Sequence, residues 1–374
     1  DSARLPSWSR GPSTGFSSVT TGRLQGPVRI VGAGLIGTSI GLALSKLGVE
    51  VSLVDSSPAN VRLAVDYGAG VPAADDDNPE LIVVCVPPDV TATVVLSELQ
   101  NFPDAVVTDV ASVKAPILDE LAAAAADLSR YVGSHPMAGR EVGGAESARA
   151  DLFNSRPWIV DPTGVNSDLL NLGREVIELC GGHLIEMASP THDKAVALVS
   201  HLPQILSSLL AAQLEGAPAE WLDLAGSGLR DTTRIAASSP QLWREIISAN
   251  QEALQPLIDK AIEDLQDLAR KLRDPNVVED FIKSGNRGRA MIPGKHGGAA
   301  RNYTYLPVVI EDKPGQLAAL FDECATAQLN VEDLSIEHSP EQYTGLITLA
   351  LSQSDAEKLH SHLLSRGWSA HSPR

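Results

Sequence analysis

Four short, almost wholly apolar runs recur in the first third of the chain: VRIVG (28–32), VSLVD (51–55), LIVVCV (81–86) and AVVTDV (105–110). Runs without polar alternation are buried on both faces, as parallel strands are, and the segments between them have helical spacing. The alternation predicts a βαβ array. Past about residue 162 strands nearly vanish. In THDKAVALVSHLPQILSSLLAAQ, residues Ala195, Leu198, Leu202, Ile205 and Leu209 recur at steps of three and four and predict one apolar helix face. Pro203 is expected to kink that helix beside His201. Helical patterns at about 217–236 and 240–272 complete an all-α middle domain, whose long apolar helices are expected to pack against a second copy. The glycine-rich, basic stretch SGNRGRAMIPGKHGGAARN (284–302) reads as a linker, and the pattern after it, strand, helix, strand, strand, helix, strand, predicts a small α+β sandwich.

Composition narrows the class. The 374 residues are 43% hydrophobic and 20% charged with a mean hydropathy near zero, which suits two or three globular domains. No uninterrupted apolar run approaches the roughly 18 to 20 residues of a bilayer span, so no membrane role is expected. A formal charge of −18 repels nucleic acid and anionic lipid. Cys85, Cys180 and Cys324 lie far apart without a CxxC spacing, which argues for a reducing, cytoplasmic setting and against a disulfide framework or a metal site. Residues 1–26, rich in Ser, Gly and Pro, read as a flexible leader.

Candidate chemistry begins at Gly32-Ala33-Gly34-Leu35-Ile36-Gly37, between a strand and a helix. The first glycine permits the tight turn, the second lets backbone approach a pyrophosphate, and the third lets helix pack on strand. Asp55 ends the next strand, placed to accept hydrogen bonds from an adenosine ribose. That is a Rossmann-type nucleotide site. A carboxylate there repels the 2′-phosphate of NADP, and Ser56, Ser57 and Pro58 offer no cation, so NAD is the expected cofactor. Ser112 follows a strand at the ligand-binding edge of the sheet, where it is either a helix cap or a contact to nicotinamide and substrate. His135, in GSHPMAG (133–139), falls near the same edge. It is either a buried histidine satisfied by backbone or the proton acceptor that oxidation of an alcohol requires. Arg230, Asp231 and Arg234 stand in an otherwise small and apolar segment, as a surface ion pair or as a grip on a substrate carboxylate.

Taken in order, GAGLIGTSIGLAL, DVASVK, GSHPMAG, SHLPQ and RDTTRIAASSPQLW resemble the prephenate/arogenate dehydrogenase family from about Val28 to Met291. The resemblance implies a Rossmann-type doubly wound parallel sheet (27–162), an all-α substrate and dimerisation domain (163–285), a linker (286–302) and a small α+β domain (303–374). It implies oxidative decarboxylation of prephenate with NAD, His135 taking the ring hydroxyl proton and Ser112 hydrogen-bonding the same hydroxyl. By the same resemblance Arg234 binds substrate carboxylate with Asp231 as its gating partner, and His201, Glu141 and Trp243 line the site. Many members carry a second histidine where Gln204 stands, which leaves arogenate open as the substrate. The segment IEDKPGQLAALFDECATAQLNVEDLSIEH resembles an ACT domain, which implies an amino-acid effector, tyrosine, near Asp312, Pro314, Gly315 and Asn330.

Two other readings stand beside this one. Dehydrogenases of the 3-hydroxyacid or 6-phosphogluconate type share the layout but need a lysine four residues before an asparagine. Neither Lys194, followed by Leu198, nor Lys260, followed by Asp264, fits. A non-catalytic amino-acid-sensing protein that merely binds nucleotide leaves His135, Ser112 and Arg234 without a shared purpose.

Overall fold

The computed structural model describes residues 24, 26–124, 126–140, 143–292, 303–338 and 343–374. They form two compact units, Asp1–Glu263 and Asp264–Arg374. The first unit opens with β1 (Val28–Val31), α1 (Leu35–Lys46), β2 (Val51–Val54), α2 (Pro58–Asp66), β3 (Val71–Pro72), β4 (Leu81–Val84), α3 (Pro88–Asn101), β5 (Val106–Asp109) and α4 (Ala115–Ala123). It continues with β6 (Tyr131–Pro136), β7 (Pro157–Val160), α5 (Ser167–Leu179) and β8 (His183–Glu186). All eight strands join one sheet of order β3-β2-β1-β4-β5-β6-β7-β8. Strands β1 to β6 run parallel; β7 is antiparallel to β6, and β8 is parallel to β7.

The apolar runs are continuous because successive residues feed two cores. Val28, Ile30, Leu81 and Val83 enter the core on one face, while Val31, Ile82, Val84 and Val107 enter the core on the other. Strand order reverses between β1 and β4, which opens a crevice at their carboxyl ends, the position where open α/β sheets bind ligands. The expected domain boundary at residue 162 is too early, since the sheet runs on to Glu186. Strand β8 is four residues long with exposed ends, so its sequence HLIE carries none of the apolar continuity that marks the central strands.

Then come α6 (Ser189–Val196), a π-helical turn (Ala197–His201), α7 (Leu202–Ala212), α8 (Ala219–Leu222), α9 (Ser227–Thr233), a 3-10 turn (Arg234–Ala236), α10 (Pro240–Ala249) and α11 (Gln251–Lys271). The irregularity expected at Pro203 is present as the π turn just before it, the usual accommodation where one helical hydrogen bond is lost. The expected apolar face is not the buried one. Leu198 and Leu209 are 54% and 50% exposed, whereas His192, Asp193, Val196, Ala197, His201, Gln204 and Ser207 are buried. A polar surface therefore packs within the unit, and the apolar one is presented outward. By length and hydropathy Ser189–Ala212 is a 24-residue stretch that suits a bilayer span, although polar residues interrupt its apolar runs. Its buried ionisable face is not what lipid would cover.

In the second unit α12 (Pro275–Ala290) turns the first residues of the expected 286–302 linker into helix, and 293–302 lie outside the described residues. Strand β9 (Thr304–Glu311), α13 (Gln316–Thr326), β10 (Asp333–His338), β11 (Thr344–Leu351), α14 (Gln353–Ser365) and β12 (Ser369–Ala370) form the expected α+β sandwich. Its sheet, β10-β11-β9-β12, pairs antiparallel throughout, and Leu306, Val308, Leu320, Ile347 and Leu359 fill its core.

Candidate active site

The glycine loop between β1 and α1 has the geometry its spacing predicts. Gly32 adopts φ +107, where a Cβ would meet the Cys85 carbonyl oxygen at 2.4 Å. A Cβ on Gly37 would fall 2.0 Å from the Gly32 carbonyl oxygen, whereas one on Gly34 would enter open space. Gly34 therefore leaves room for a ligand, and Gly32 and Gly37 are needed by the fold itself. The N-terminus of α1, at Leu35 and Ile36, has no side-chain cap and leaves its amides for a phosphate. Asp55 accepts the Ala33 amide (2.8 Å) on one oxygen and the Ser57 amide (2.8 Å) and Asn60 Nδ2 (3.3 Å) on the other. It thus ties the loop to α2 while keeping carboxylate lone pairs for a ribose. The residues fit a dinucleotide. Gly37→Ala should cost about 1–3 kcal/mol of stability together with NAD binding. Gly34→Ala should melt like the wild type and lose NAD binding alone. Thermal melts and NAD titrations of both variants check this, and equal melting losses would contradict it.

Strands β5 and β6 are adjacent and parallel, with Asp109 opposite Gly133, so Ser112 and His135 both emerge at the carboxyl edge. His135 lies within β6 rather than in the loop that its glycine neighbours suggest. Gly133 packs close to the buried Asp109–Lys114 ion pair, and a Cβ there would meet Tyr131 Oη at 3.4 Å and Lys114 Cδ at 3.5 Å. Ser112 is not the N-cap of α4, which the residue order had left open; Lys114 holds that position. The cap is supplied from α6, because Asp193 accepts the Lys114 amide (2.9 Å) and the Ala115 amide (2.8 Å). Ser112 Oγ is buried and has no hydrogen-bond partner among the described residues, which leaves it free for a bound group.

Around His135 the structure gathers His192, Asp193 and Asn250, which no motif marks, beside His201 and Trp243, which the family resemblance implied. His135 Nδ1 lies 2.8 Å from His192 Nε2, and His192 Nδ1 lies 2.7 Å from Asp193 Oδ1. Asn250 donates to the Asp193 carbonyl (2.8 Å) and lies 3.1 Å from His201 Nδ1. His201 meets Trp243 edge-on, with ring centroids 6.0 Å apart. Burial, reinforced by His192, Lys114 and His201, holds His135 well below the ordinary histidine range. Burial also pushes His201 down to about 4, so both rings are neutral near pH 7. The neighbouring His192-Asp193 pair gives no spacing signal of its own, which is why the sequence did not expose it.

Gln204 is buried on α7 and donates to Ser208 Oγ at 3.2 Å. Asp231 and Arg234 are exposed on α9 and the 3-10 turn, a segment seated on α7 by Ser207 Oγ donating to the Thr232 carbonyl (2.7 Å). Glu141 lies outside the described residues. Asp312, Pro314 and Gly315 form the exposed turn from β9 to α13, where Gly315 has φ +88, and Asn330 is exposed before β10.

Comparison with known proteins bears on the chain as a whole. The prephenate dehydrogenase nucleotide-binding domain matches residues 40–186, ending where β8 ends, and the prephenate dehydrogenase dimerization domain matches residues 188–284. The chain is 34% identical over 357 residues to the probable prephenate dehydrogenase NovF of Streptomyces niveus, covering 92% of this chain and 99% of that protein. It is 25% identical over 353 residues to a prephenate dehydrogenase of Bacillus subtilis, covering 90% and 95%. The prephenate dehydrogenase of A. aeolicus, solved with hydroxyphenyl propionate and NAD+, superposes with a TM-score of 0.63 at 28% identity, over 73% of this chain and 99% of that one. Two consecutive domain matches over more than half of the chain, and a relative aligned along nearly its whole length, place this protein in the prephenate dehydrogenase family as an NAD-dependent oxidoreductase.

Proposed function

We propose that His135 accepts the ring hydroxyl proton while prephenate is oxidised and decarboxylated to 4-hydroxyphenylpyruvate and CO2. The observation that carries this is the buried imidazole of His135 at the carboxyl edge of the sheet, held neutral by its burial and one strand from Ser112 Oγ, which has no partner among the described residues. A neutral imidazole is a base, and Ser112 provides a hydrogen bond that orients the hydroxyl. Gly32, Gly34, Leu35, Ile36, Gly37 and Asp55 would hold NAD, which when bound supplies the hydride acceptor. Loss of the ring carboxylate restores aromaticity, and the phenolic oxygen takes its proton back. The protein then has only to position the ring and manage one proton.

In this reading Arg234, steered by Asp231, grips the side-chain carboxylate in a charge-assisted contact worth about 1.5–3 kcal/mol. His201, neutral at pH 7, and Trp243 bound the pocket, and Gln204 places an amide rather than a charge beside the substrate side chain. The exposed Leu198, Leu206 and Leu209 support pairing of the helical domain with a second copy. Tyrosine is the effector we assign to the second unit, at the turn holding Asp312, Pro314 and Gly315 with Asn330 nearby, on its resemblance to an ACT domain.

The test is NADH formation with prephenate and with arogenate, each with NAD and NADP, with and without tyrosine. Turnover of prephenate with NAD is the expected result. Turnover of arogenate alone would move the substrate assignment, and an unchanged rate with tyrosine would remove the effector. Sedimentation of the same samples reads the dimer.

A further inference from the structure

We propose that the proton taken by His135 is passed on to His192, which Asp193 holds as a second acceptor, so that the three side chains act as one relay. This rests on His135 being the base at the reacting hydroxyl. Hydrogen positions follow from the partners. The Asp193 carboxylate accepts only, so at 2.7 Å His192 Nδ1 carries the hydrogen and its Nε2 offers a lone pair. His135 Nδ1, 2.8 Å away, then donates to that lone pair, which leaves His135 Nε2 free to receive a proton. The rings meet edge-on at 82°, with centroids 5.1 Å apart.

Asp193 is held on three sides. Its Oδ1 accepts the Lys114 amide, its Oδ2 accepts the Ala115 amide, and its carbonyl accepts from Asn250. Helix α6 is in turn pinned to the sheet, where Asp161 accepts the Ser189 amide at 2.7 Å. Neither carboxylate can swing away from its duty without releasing a helix end.

The charges around the pair say where a proton rests. His135 faces the Lys114 ammonium from the β5–α4 segment, which is unfavourable to a second cation, and the neutral ring of His201 from the π turn, which offers it no negative charge. Asp109 on β5 is engaged by Lys114 and by Tyr131 of β6, and Asp161 at the end of β7 is engaged by Ser189, so neither faces His135 as a free anion. Of the two rings, it is His192 that touches a carboxylate among the described residues, that of Asp193. The step balances as follows: the hydroxyl proton bonds to His135 Nε2, the Nδ1 proton leaves for His192 Nε2, and His135 ends neutral in its other tautomer. The cation then sits on His192 against Asp193. The sequence reverses when the phenolic oxygen recovers its proton.

His192→Gln tests this, because an amide oxygen can still accept from His135 Nδ1 but cannot hold a proton at pH 7. The variant is expected to keep its NAD dissociation constant and its KM for prephenate, and to lose about 100-fold in kcat. Its acidic limb in kcat/KM should move to lower pH, since the limb of the wild type belongs to the pair and that of the variant to His135 alone. A full rate, or a slower rate with the limb unmoved, overturns the relay. A proton inventory of single-turnover rates on the wild type provides a second reading that needs no variant. A curved dependence on deuterium content is expected for two protons in motion, and a straight line overturns the proposal. His135→Asn is run beside them: if it turns over normally, the assignment of His135 has failed rather than the relay.

Discussion

His135→Asn should bind NAD and prephenate as the wild type does and lose roughly 100- to 10,000-fold in kcat, the range that a general base contributes. Asparagine fills similar space, and its side-chain amide can still donate to His192 Nε2, the partner 2.8 Å from His135 Nδ1. What it cannot do is take a proton from the ring hydroxyl. The loss should therefore appear in kcat and in kcat/KM equally, as expected for an interaction made only in the transition state. The measurement is initial-rate NADH formation over a range of prephenate concentrations, with NAD affinity determined separately. A raised KM at unchanged kcat would assign His135 to substrate binding instead of chemistry.

Lys114→Met is the second large effect, and it falls on stability. Lys114 is 1% exposed and Asp109 not at all, and their ion pair lies beneath β6. Burial pulls the Lys114 ammonium down from its ordinary range, and the Asp109 carboxylate beside it opposes that pull. Removing the ammonium leaves the carboxylate, among the described residues, with the Tyr131 hydroxyl at 2.5 Å and the Ala111 amide at 2.8 Å. An uncompensated buried charge of this kind costs about 3–5 kcal/mol. Urea unfolding of the NAD-free protein reads the loss, and adding Asp109→Asn to the same chain should recover most of it, because the deficit is the stranded charge and not the missing contact. A loss below about 1 kcal/mol, the range of an exposed pair, would mean that no uncompensated buried charge is left behind.

The two effects separate what Asp109-Val110-Ala111-Ser112-Val113-Lys114 does. Its ends build a buried pair that fixes the β5 edge, and its middle offers Ser112 to a ligand. Read along the chain, only Ser112 stood out, because a serine after a strand is a familiar ligand position, whereas Asp109 and Lys114 look like ordinary loop charges.

Local chemistry was legible wherever a residue's role depends on its own backbone. Gly32 needs positive φ, Gly37 must let α1 pack against the turn, and Asp55 ends a strand, so spacing alone located the nucleotide loop. The central strands were legible for a similar reason, since burial on both faces leaves an apolar run with no polar break. His135 was singled out by its motif, though not its place inside β6. Strand β8 was missed because an edge strand of four residues carries too few apolar positions to stand out.

What the sequence by itself determined, then, is the order of elements and the backbone-bound chemistry, because propensity, periodicity and glycine conformations act over a few neighbouring residues. Tertiary structure alone decided two other things. It brought His192, backed by Asp193, against His135 across 57 residues of chain, and it turned the polar side of Ser189–Ala212 inward while presenting the apolar side outward. Both follow from long-range packing. A helix with one apolar and one polar face does not state which will meet its own chain. That is settled by the partners the sheet edge offers, and here the edge offers Lys114 and Ala115 amides for a carboxylate and an imidazole for an imidazole.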